Sequence, residues 1–416
     1  MMLSRLVHLW KIPRFDELSG PTAGRRWLQI ALLCWWIVLV ATCTKSLLKN
    51  GTNDPKSVYS VFPESARRWA NSDSLYAKYN GYDIYRYSPT FAVAALPLAP
   101  LSNPVGGVIW SILSFTALLA ATRAFSDWAF DSSKFPEREG QILLLSLVPT
   151  IGGLWSQQSN AFIVAAILGG MMMAQQRKFW TAALLLAIPI YLKIWPVIMV
   201  LLIVLRWPKQ LIGRGVVMML ALALLPYLFQ HPRYVTQQYI DWYTVLTGPL
   251  QGRWQGYRDF WTIIEELRLP ISVSGYKYLQ VASLAGLFAY GIVANLKLHS
   301  DRAFLIATFS VWCCWQLLMG PGTERLTYGL IGPSAAFAVW ESRRLGRSFI
   351  YVSILWWMIS LFSMGSIELA FHPIFPLEKV LLPGALFSLT VWLTLFPYEP
   401  AKKPAALAIP KLSQVV

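Results

Sequence analysis

Residues 27–48, WLQIALLCWWIVLVATCTKSLL, set the class of this protein. An apolar run of this length is long enough to cross the hydrocarbon core of a membrane as an α-helix. Several cations precede it and no signal-peptide pattern is visible, so we expect an uncleaved anchor with a cytoplasmic N-terminus. These cations are Arg5, Lys11, Arg14, Arg25 and Arg26.

The rest of the 416-residue chain has the same character. Apolar residues make up 56% of it and charged residues 13%, about half the charged share of a soluble domain. Lys and Arg exceed Asp and Glu by 36 − 20 = 16, which in a membrane protein marks cytoplasmic loops and contact with anionic lipids rather than nucleic acid. This composition excludes a disordered chain, a disulfide-rich secreted domain and an ordinary soluble enzyme.

Further apolar runs follow along the chain. We therefore predict an all-α, polytopic membrane domain over residues 27–397, with about twelve transmembrane helices. Residues 1–26 form a cytoplasmic segment and residues 398–416 a cytoplasmic tail in this prediction. The further runs are 88–102, 105–124, 141–155, 161–174, 179–205, 211–229, 278–296, 303–319, 326–340, 348–364 and 380–396.

The basic loops predict which side each segment faces. The loops near residues 206–214, 297–302 and 343–347 are short and cationic, so they belong in the cytoplasm. Two long segments, about 51–87 and 231–277, then lie outside, and loops of this length in a compact domain are usually functional.

One ambiguity concerns residues 88–102, which either cross the membrane or form a re-entrant segment. In the re-entrant version the break at Lys193 is the tip of two short spans, whereas in the crossing version residues 179–205 form one long helix. Arg177 and Lys178 favour the re-entrant version, because it places them in the cytoplasm.

The first outside segment supplies candidate carboxylates. Asp54 follows the first span closely and is suited to take a proton from an acceptor hydroxyl, although Asn-Asp-Pro is also good turn chemistry. Glu64, Asp73 and Asp83 are the alternatives. Residues 57–69 predict an interfacial amphipathic helix with an apolar side of Val58, Phe62 and Trp69 and with Arg67 and Arg68 near phosphates.

Polar residues inside or beside the apolar runs are further candidates. Lys193, three residues before Pro196, suits a lipid phosphate, or else is a lysine that extends from a helix end to water. Arg325 is suited to a charge-assisted bond to phosphate, with Glu324 orienting it or binding a sugar hydroxyl; a local ion pair in a turn is the alternative. Gln158 and Asn160 are hydrogen-bonding candidates, and Asn160 also fits a simple helix cap.

Several motifs of other membrane enzymes and pumps are missing. The sequence has no GxxxxGK[ST], no HExxH and no GxSxG, which argues against an ATP-driven pump, a zincin-type protease and a serine hydrolase. A secondary transporter or a flippase for lipid-linked sugars remains the main alternative to an enzyme, although only one broken helix is clear where transporters usually show two.

Several motifs follow one another along the first half of the chain: Asp54 with Val58-Tyr59, the run Tyr87-Ser88-Pro89-Thr90-Phe91-Ala92, the element Gln158-Ser159-Asn160, and Lys193 before Pro196. Their order resembles that of a known family, the bacterial GT-C class membrane glycosyltransferases that use polyprenyl-phosphate-mannose. Two details differ from the family pattern: Gln157 stands where the family has glycine, and the interval from Asp54 to Tyr59 is slightly longer.

The resemblance implies an inverting hexosyltransferase of the bacterial cytoplasmic membrane, with its active site facing outside. The donor would be a polyprenyl-phosphate-sugar, by the resemblance mannose, and the acceptor a lipid or glycan. Asp54 matches the family's general base. We expect Lys193 and Arg325 to contact the donor phosphate, and Tyr59, Tyr87, Glu324, Gln158 and Asn160 to contribute to substrate binding. No cofactor is expected, a divalent cation is left open, and membrane lipids but no nucleic acid are expected partners.

Overall fold

The computed structural model of the protein describes residues 23–48, 58–77, 84–130, 137–247, 256–320, 322–346 and 348–396. Within these ranges the chain is helical and has no strand, only an isolated bridge between Tyr257 and Glu324. The prediction of an all-α membrane protein is confirmed. The predicted terminal segments lie outside the described ranges, except for residues 23–26.

The helices are labelled α1 to α17 in chain order, and three 3-10 turns lie between them. The helices are Ala23–Leu48, Val61–Ala70, Pro89–Ala94, Asn103–Ala129, Arg138–Trp155, Asn160–Gln175, Phe179–Leu192, Val197–Val204, Pro208–Leu224, Pro232–Thr247, Phe260–Glu266, Val273–Lys297, Asp301–Met319, Gly332–Leu345, Phe349–Phe362, Gly365–Phe371 and Glu378–Leu395. The 3-10 turns are Leu96–Leu98, Leu225–Leu228 and Arg325–Ile331.

Six helices of the described chain are long and apolar enough to cross a membrane, or up to seven if the bent pair α15 and α16 is counted as one span. This is fewer than the expected number of about twelve. The difference arises because several predicted runs form shorter apolar helices, such as α6 and α7. The 14 residues of α7 span about 21 Å, which is less than the hydrocarbon core.

A shared aspartate shows how the run 179–205 is folded. Arg177 precedes this run and Arg206 follows it, yet Arg177 Nη2 lies 3.2 Å and Arg206 Nε 2.7 Å from the two carboxylate oxygens of Asp301. The run therefore leaves and returns to the same end of the helical bundle. We call this the basic end and define it by Arg177, Arg206 and Asp301. Residues 193–196, between α7 and α8, form the turning point at the other end.

Residues 88–102 begin and end at that other end, which we call the polar end and define by Gln158, Asn160 and Lys193. Ser88 Oγ donates to the carbonyl of Tyr191, 2.7 Å away, beside the turning point. At the far end of the segment, Ser46 Oγ donates to the carbonyl of Pro104 at 3.2 Å. The segment is therefore re-entrant, as the positions of Arg177 and Lys178 indicate, and the single long helix over 179–205 is excluded.

Helices at the centre and at the periphery differ sharply in burial. In the most apolar window of α13, 83% of residues are buried, whereas the corresponding share is 11% for Pro208–Leu228 and 17% for α12. Apolar side chains that are exposed on a spanning helix face lipid, because lipid tails are as apolar as these side chains. Helix α13 is thus the central helix, and α9 and α12 form the lipid-facing periphery.

Helix α2 begins at Val61, four residues later than the predicted helix, so Val58 lies outside it, and the helix is not free on a membrane surface. Its predicted apolar residues Phe62 and Trp69 are buried, and Arg68 is buried as well, with Nε 3.1 Å from Glu64 Oε1. Arg67 donates from Nε to the carbonyl of Ala99 at 3.0 Å. Both arginines therefore bind groups of the protein, and α2 is docked on the re-entrant segment.

The substitution Asp301→Asn tests the turn-back of residues 179–205. Arg177 and Arg206 would lose the charge that holds them together, and a half-buried pair of this kind contributes about 1–3 kcal/mol, between the exposed and the buried extremes. We expect a lower midpoint of thermal unfolding for the detergent-solubilised protein. Asp241→Asn is the control, because Asp241 accepts one neutral hydrogen bond, from Gln237 at 2.9 Å. Equal stability of the two variants would contradict this role of Asp301.

Candidate functional site

The turn between α5 and α6 brings several predicted residues together at the polar end. Gln157 in this turn has a φ of 56°, in the left-handed region that favours glycine. A glycine, which the resemblance implies at this position, would adopt this conformation without strain. The Gln157 side chain compensates by donating from Nε2 to the carbonyl of Gly107 at 2.8 Å and to Ser111 Oγ at 3.0 Å. The turn is thereby fixed against α4.

Three predicted binding residues form one hydrogen-bonded chain beyond this turn. Lys193 Nζ donates to Asn160 Oδ1 at 2.9 Å, and Asn160 Nδ2 donates to Gln158 Oε1 at 2.6 Å. Gln158 and Asn160 are buried, with 7% and 4% of their surfaces exposed. The Asn160 side chain therefore bridges Lys193 and Gln158. The alternative of a helix cap for Asn160 is wrong, because α6 begins at Asn160 and Ser159 is at the cap position.

Local backbone geometry places Lys193 at this point. Lys193 ends α7 in an extended conformation, with φ −151° and ψ 136°, and Pro196 cannot continue the helix. The ammonium lies near the C-terminus of α7, where the helix dipole favours a cation. Two other charges act on it, the Glu324 carboxylate favourably and the Arg86 guanidinium unfavourably. Lys193 and Glu324, both predicted binding residues, therefore lie close enough to influence each other electrostatically.

The segment that carries Asp54 lies outside the described residues, but the residues on both sides of it contact the end of α5 and the turn that follows. Before it, Lys45 Nζ donates to the carbonyl of Trp155 at 3.0 Å. After it, the Val58 backbone N–H donates to the carbonyl of Ser156, also at 3.0 Å. Both flanks are thus tied to the turn that carries Gln158 and Asn160.

The other carboxylates of the first outside segment differ from one another. Glu64 is paired with Arg67 and Arg68, so its carboxylate already has two cationic partners. Asp73 is exposed, and its carbonyl accepts a hydrogen bond from the Tyr234 hydroxyl at 2.7 Å. Asp83, like Asp54, lies outside the described residues.

Tyr59 and Tyr87 belong to a buried aromatic cluster. Only 2% of Tyr59 and 8% of Tyr87 is exposed, and the Tyr87 ring lies 5.3 Å from that of Phe62 and 5.0 Å from that of Phe91. Burial raises the pKa of Tyr59 to about 12, so its hydroxyl stays neutral. Within the described ranges this hydroxyl has no hydrogen-bond partner. These rings therefore form a buried aromatic wall beside the hydrogen-bonded chain of Lys193, Asn160 and Gln158. They do not form an open surface on which a sugar could stack.

Arg325 lies at the same end, but its partner is not the predicted one. Arg325 Nη1 donates to Glu368 Oε2 at 2.6 Å. The other oxygen of Glu368 accepts from Nε of Arg258. Glu324 instead caps the 3-10 turn that begins at Arg325, because its side chain accepts from the backbone N–H of Thr327. The expectation that Glu324 orients Arg325 is therefore wrong, since a capping carboxylate faces its own turn.

The sequence did not indicate Glu368 as a candidate residue. Its only signal is that it is the single charge in the short apolar stretch GSIELAF, residues 365–371. A buried carboxylate needs ionic or hydrogen-bonded partners, but the stretch does not reveal where they are. Among the described residues no group of three or more His, Cys, Asp and Glu side chains converges on one point, and the divalent cation stays an open part of the sequence prediction.

A comparison with protein families decides the class of chemistry. The model of glycosyltransferase family 87 matches residues 85–332 of this chain. The chain belongs to glycosyltransferase family 87. No individually curated protein matches it significantly.

This membrane glycosyltransferase has most of its candidate site within the family match. Tyr87, Asn160, Lys193 and Arg325 lie inside the matched range, whereas Asp54 precedes it and Glu368 follows it. The glycosyltransferase part of the resemblance is thereby confirmed. The sugar, donor and acceptor stay predictions.

The substitution Gly106→Ala tests the packing of the aromatic wall. A Cβ at Gly106 would overlap the Tyr59 hydroxyl and lie 2.9 Å from Tyr59 Cζ, and overpacking of this kind costs about 1–3 kcal/mol. We expect a lower midpoint of thermal unfolding, partly restored in the double variant Gly106→Ala, Tyr59→Phe. Gly215→Ala is the control, because nothing lies within 4 Å of the added carbon. If Tyr59→Phe restores none of the loss, the contact does not carry the effect.

Proposed function

We propose that this family 87 glycosyltransferase transfers a hexose, by resemblance mannose, from a polyprenyl-phosphate-sugar to a lipid or glycan acceptor. The observation that carries the proposal is the convergence at the polar end. There the flanks of the Asp54 segment, the Ser88 to Tyr191 contact and the chain Lys193, Asn160 and Gln158 come together. A cationic, hydrogen-bonding site beside a lipid-facing surface suits a donor that carries its phosphate on a lipid.

The charge distribution supports an outward-facing site in this proposal. Arg177, Arg206 and Asp301 bind one another at the basic end, and the basic loops of a membrane protein mark the cytoplasmic side. The polar end is the opposite end of the bundle. It would therefore face outside, where the lipid-linked donor is presented without any nucleotide.

In the proposed reaction, Asp54 takes the proton of the acceptor hydroxyl as that oxygen attacks the anomeric carbon of the donor sugar. The bond from this carbon to the phosphate oxygen breaks on the opposite face, which inverts the anomeric configuration. Polyprenyl phosphate leaves, and the cations Lys193 and Arg325 stabilise its developing charge. Asp54 precedes Val58 by four positions in the sequence, and the Val58 N–H donates to the carbonyl of Ser156.

The substitution Asp54→Asn tests the proposed reaction. Membranes containing the protein are incubated with radiolabelled polyprenyl-phosphate-mannose, and label in glycolipid or glycan is measured. Loss of a general base lowers the rate by about 100-fold or more, so we expect transfer to fall by that factor. Asp73→Asn is the matched control, since Asp73 is an exposed carboxylate of the same loop.

Each result has a distinct meaning. Transfer that survives Asp54→Asn contradicts the assignment of the base and leaves the reaction class intact. Movement of the lipid-linked sugar across the membrane without covalent transfer by the wild type favours a flippase instead. Absence of both means that the donor sugar or the acceptor is wrong.

Lys193→Gln tests the proposed contact with the donor phosphate. Glutamine can still bond to Asn160, so the variant removes the charge and leaves the hydrogen-bonded chain. Loss of one charge-assisted contact corresponds to an increase of about tenfold in the KM for the donor, with a smaller change in the KM for the acceptor. Lys178→Gln, an exposed lysine at the basic end, should leave both values unchanged. A change confined to the acceptor KM would contradict the assignment.

A further inference from the structure

Glu368 joins two arginines from distant parts of the chain at the polar end. Its side chain is 4% exposed, and its two oxygens bind Arg258 Nε and Arg325 Nη1 separately. Arg258 is also buried, at 7% exposed, whereas Arg325 keeps 27% of its side chain accessible. Glu368 therefore joins the two guanidiniums, the buried carboxylate of Asp259 lies next to Arg258 in the chain, and the cluster opens to the surroundings through Arg325.

The backbone on the Arg258 side of the cluster is rigid. The Arg258 N–H donates to the carbonyl of Thr323 at 2.8 Å, and the Arg258 carbonyl accepts from the Tyr328 hydroxyl at 2.7 Å. Arg258 is thus anchored directly to the turn that begins at Arg325. Two guanidiniums held this close would repel each other in a medium of low dielectric constant unless a carboxylate lay between them.

The helix that carries Glu368 is shaped to receive Arg325. Helices α15 and α16 meet at an angle of 100° across Ser363 and Met364, which turns α16 over the end of the bundle. Gly365 begins α16 directly against the Arg325 guanidinium: an added Cβ would lie 2.7 Å from Nη1 and 2.8 Å from Cζ. The guanidinium is therefore held by a carboxylate on one side and by the bare backbone of a glycine on the other.

We propose that Glu368 is a positioning residue that orients Arg325 for the phosphate of a lipid-phosphate ligand. This inference rests on the proposed function, because it takes the ligand to be the donor or its polyprenyl phosphate product. Within the described residues, Glu368 is the only hydrogen-bond partner of the Arg325 side chain. The remaining N–H groups of Arg325 are left for the ligand, on the turn whose capping residue, Glu324, acts electrostatically on Lys193. Phosphate binds well to a planar guanidinium only when its orientation is fixed.

The sign of the effect distinguishes positioning from simple charge balance. Removing the Glu368 charge raises the positive charge of the site, which by itself would tighten the binding of an anion. Loss of orientation has the opposite effect. Weaker phosphate binding in Glu368→Gln therefore indicates positioning.

Two variants and one control test the inference. Glu368→Gln keeps the size of the side chain and removes its charge. Gly365→Ala changes no charge and displaces the Arg325 guanidinium by contact, so it serves where Glu368→Gln does not fold. Gly384→Ala is the control, since nothing lies within 4 Å of its added carbon. The readouts are the affinity of the purified protein for farnesyl phosphate, measured calorimetrically, and the kcat and KM for the polyprenyl-phosphate-sugar.

We expect Glu368→Gln and Gly365→Ala each to weaken farnesyl phosphate binding and to raise the donor KM by about tenfold, with a small change in kcat. A merely structural role would reduce the amount of folded protein and leave the KM of the remainder unchanged. Unchanged or tighter binding in both variants overturns the inference, as does the absence of farnesyl phosphate binding by the wild type.

The two proposals can fail separately. Farnesyl phosphate binding that depends on Glu368, together with no transfer from any polyprenyl-phosphate-sugar, retains the positioning role and refutes the proposed reaction. Transfer that depends on Asp54 while both variants bind farnesyl phosphate as the wild type does retains the reaction and refutes the positioning role.

Discussion

The hydrogen bond from Lys193 Nζ to Asn160 Oδ1 joins the tip of one helical hairpin to the start of another helix. A charged group at the end of two apolar helices is costly unless polar partners surround it. Those partners come from separate parts of the chain: Asn160 and Gln158 from the turn after α5, and Glu324 from the 3-10 turn before α14. The polar partners of this one lysine therefore bring separate parts of the chain together at the polar end.

A second cationic centre lies immediately beside the first. Glu324 acts on Lys193, whereas the next residue, Arg325, binds Glu368. The adjacent residues Glu324 and Arg325 therefore connect the two centres, and Lys193 and Arg325 each interact with a different carboxylate. Because Arg258 and Arg86 add further positive charge nearby, the cations exceed the carboxylates. An excess of this kind in a hydrogen-bonding site attracts an anion such as a phosphate.

The two ends of the bundle use arginine in different ways. At the basic end, Arg177 and Arg206 share Asp301, and Arg206 also donates to the carbonyl of His299 at 3.0 Å. These contacts fasten loops to one another. At the polar end, Arg258 and Arg325 share the carboxylate of Glu368. The two shared carboxylates differ in burial, since the Glu368 side chain is 4% exposed and that of Asp301 is 22% exposed.

The apolar runs predicted most helices within a few residues, because hydrophobicity is a local property of the chain. The predicted run 303–319 corresponds to the helix Asp301–Met319, and 278–296 to Val273–Lys297. Lys193 within the run 179–205 and Asn160 directly before the run 161–174 also stood out locally, since such groups are rare in apolar surroundings. The positions of Arg177 and Lys178 also favoured a re-entrant path for residues 88–102, which is the path found in the structure.

Contacts between distant residues followed from packing alone. Glu368 is 110 residues from Arg258 and 43 from Arg325 along the chain, and the pairing depends on the 100° turn between α15 and α16. The left-handed conformation of Gln157 likewise depends on Gly107 and Ser111 of another helix. Composition along the chain therefore establishes which segments are helical and which residues are chemically unusual. The fold assigns each buried charge its partner, because electrostatic pairing depends on distance in space and not on separation in sequence.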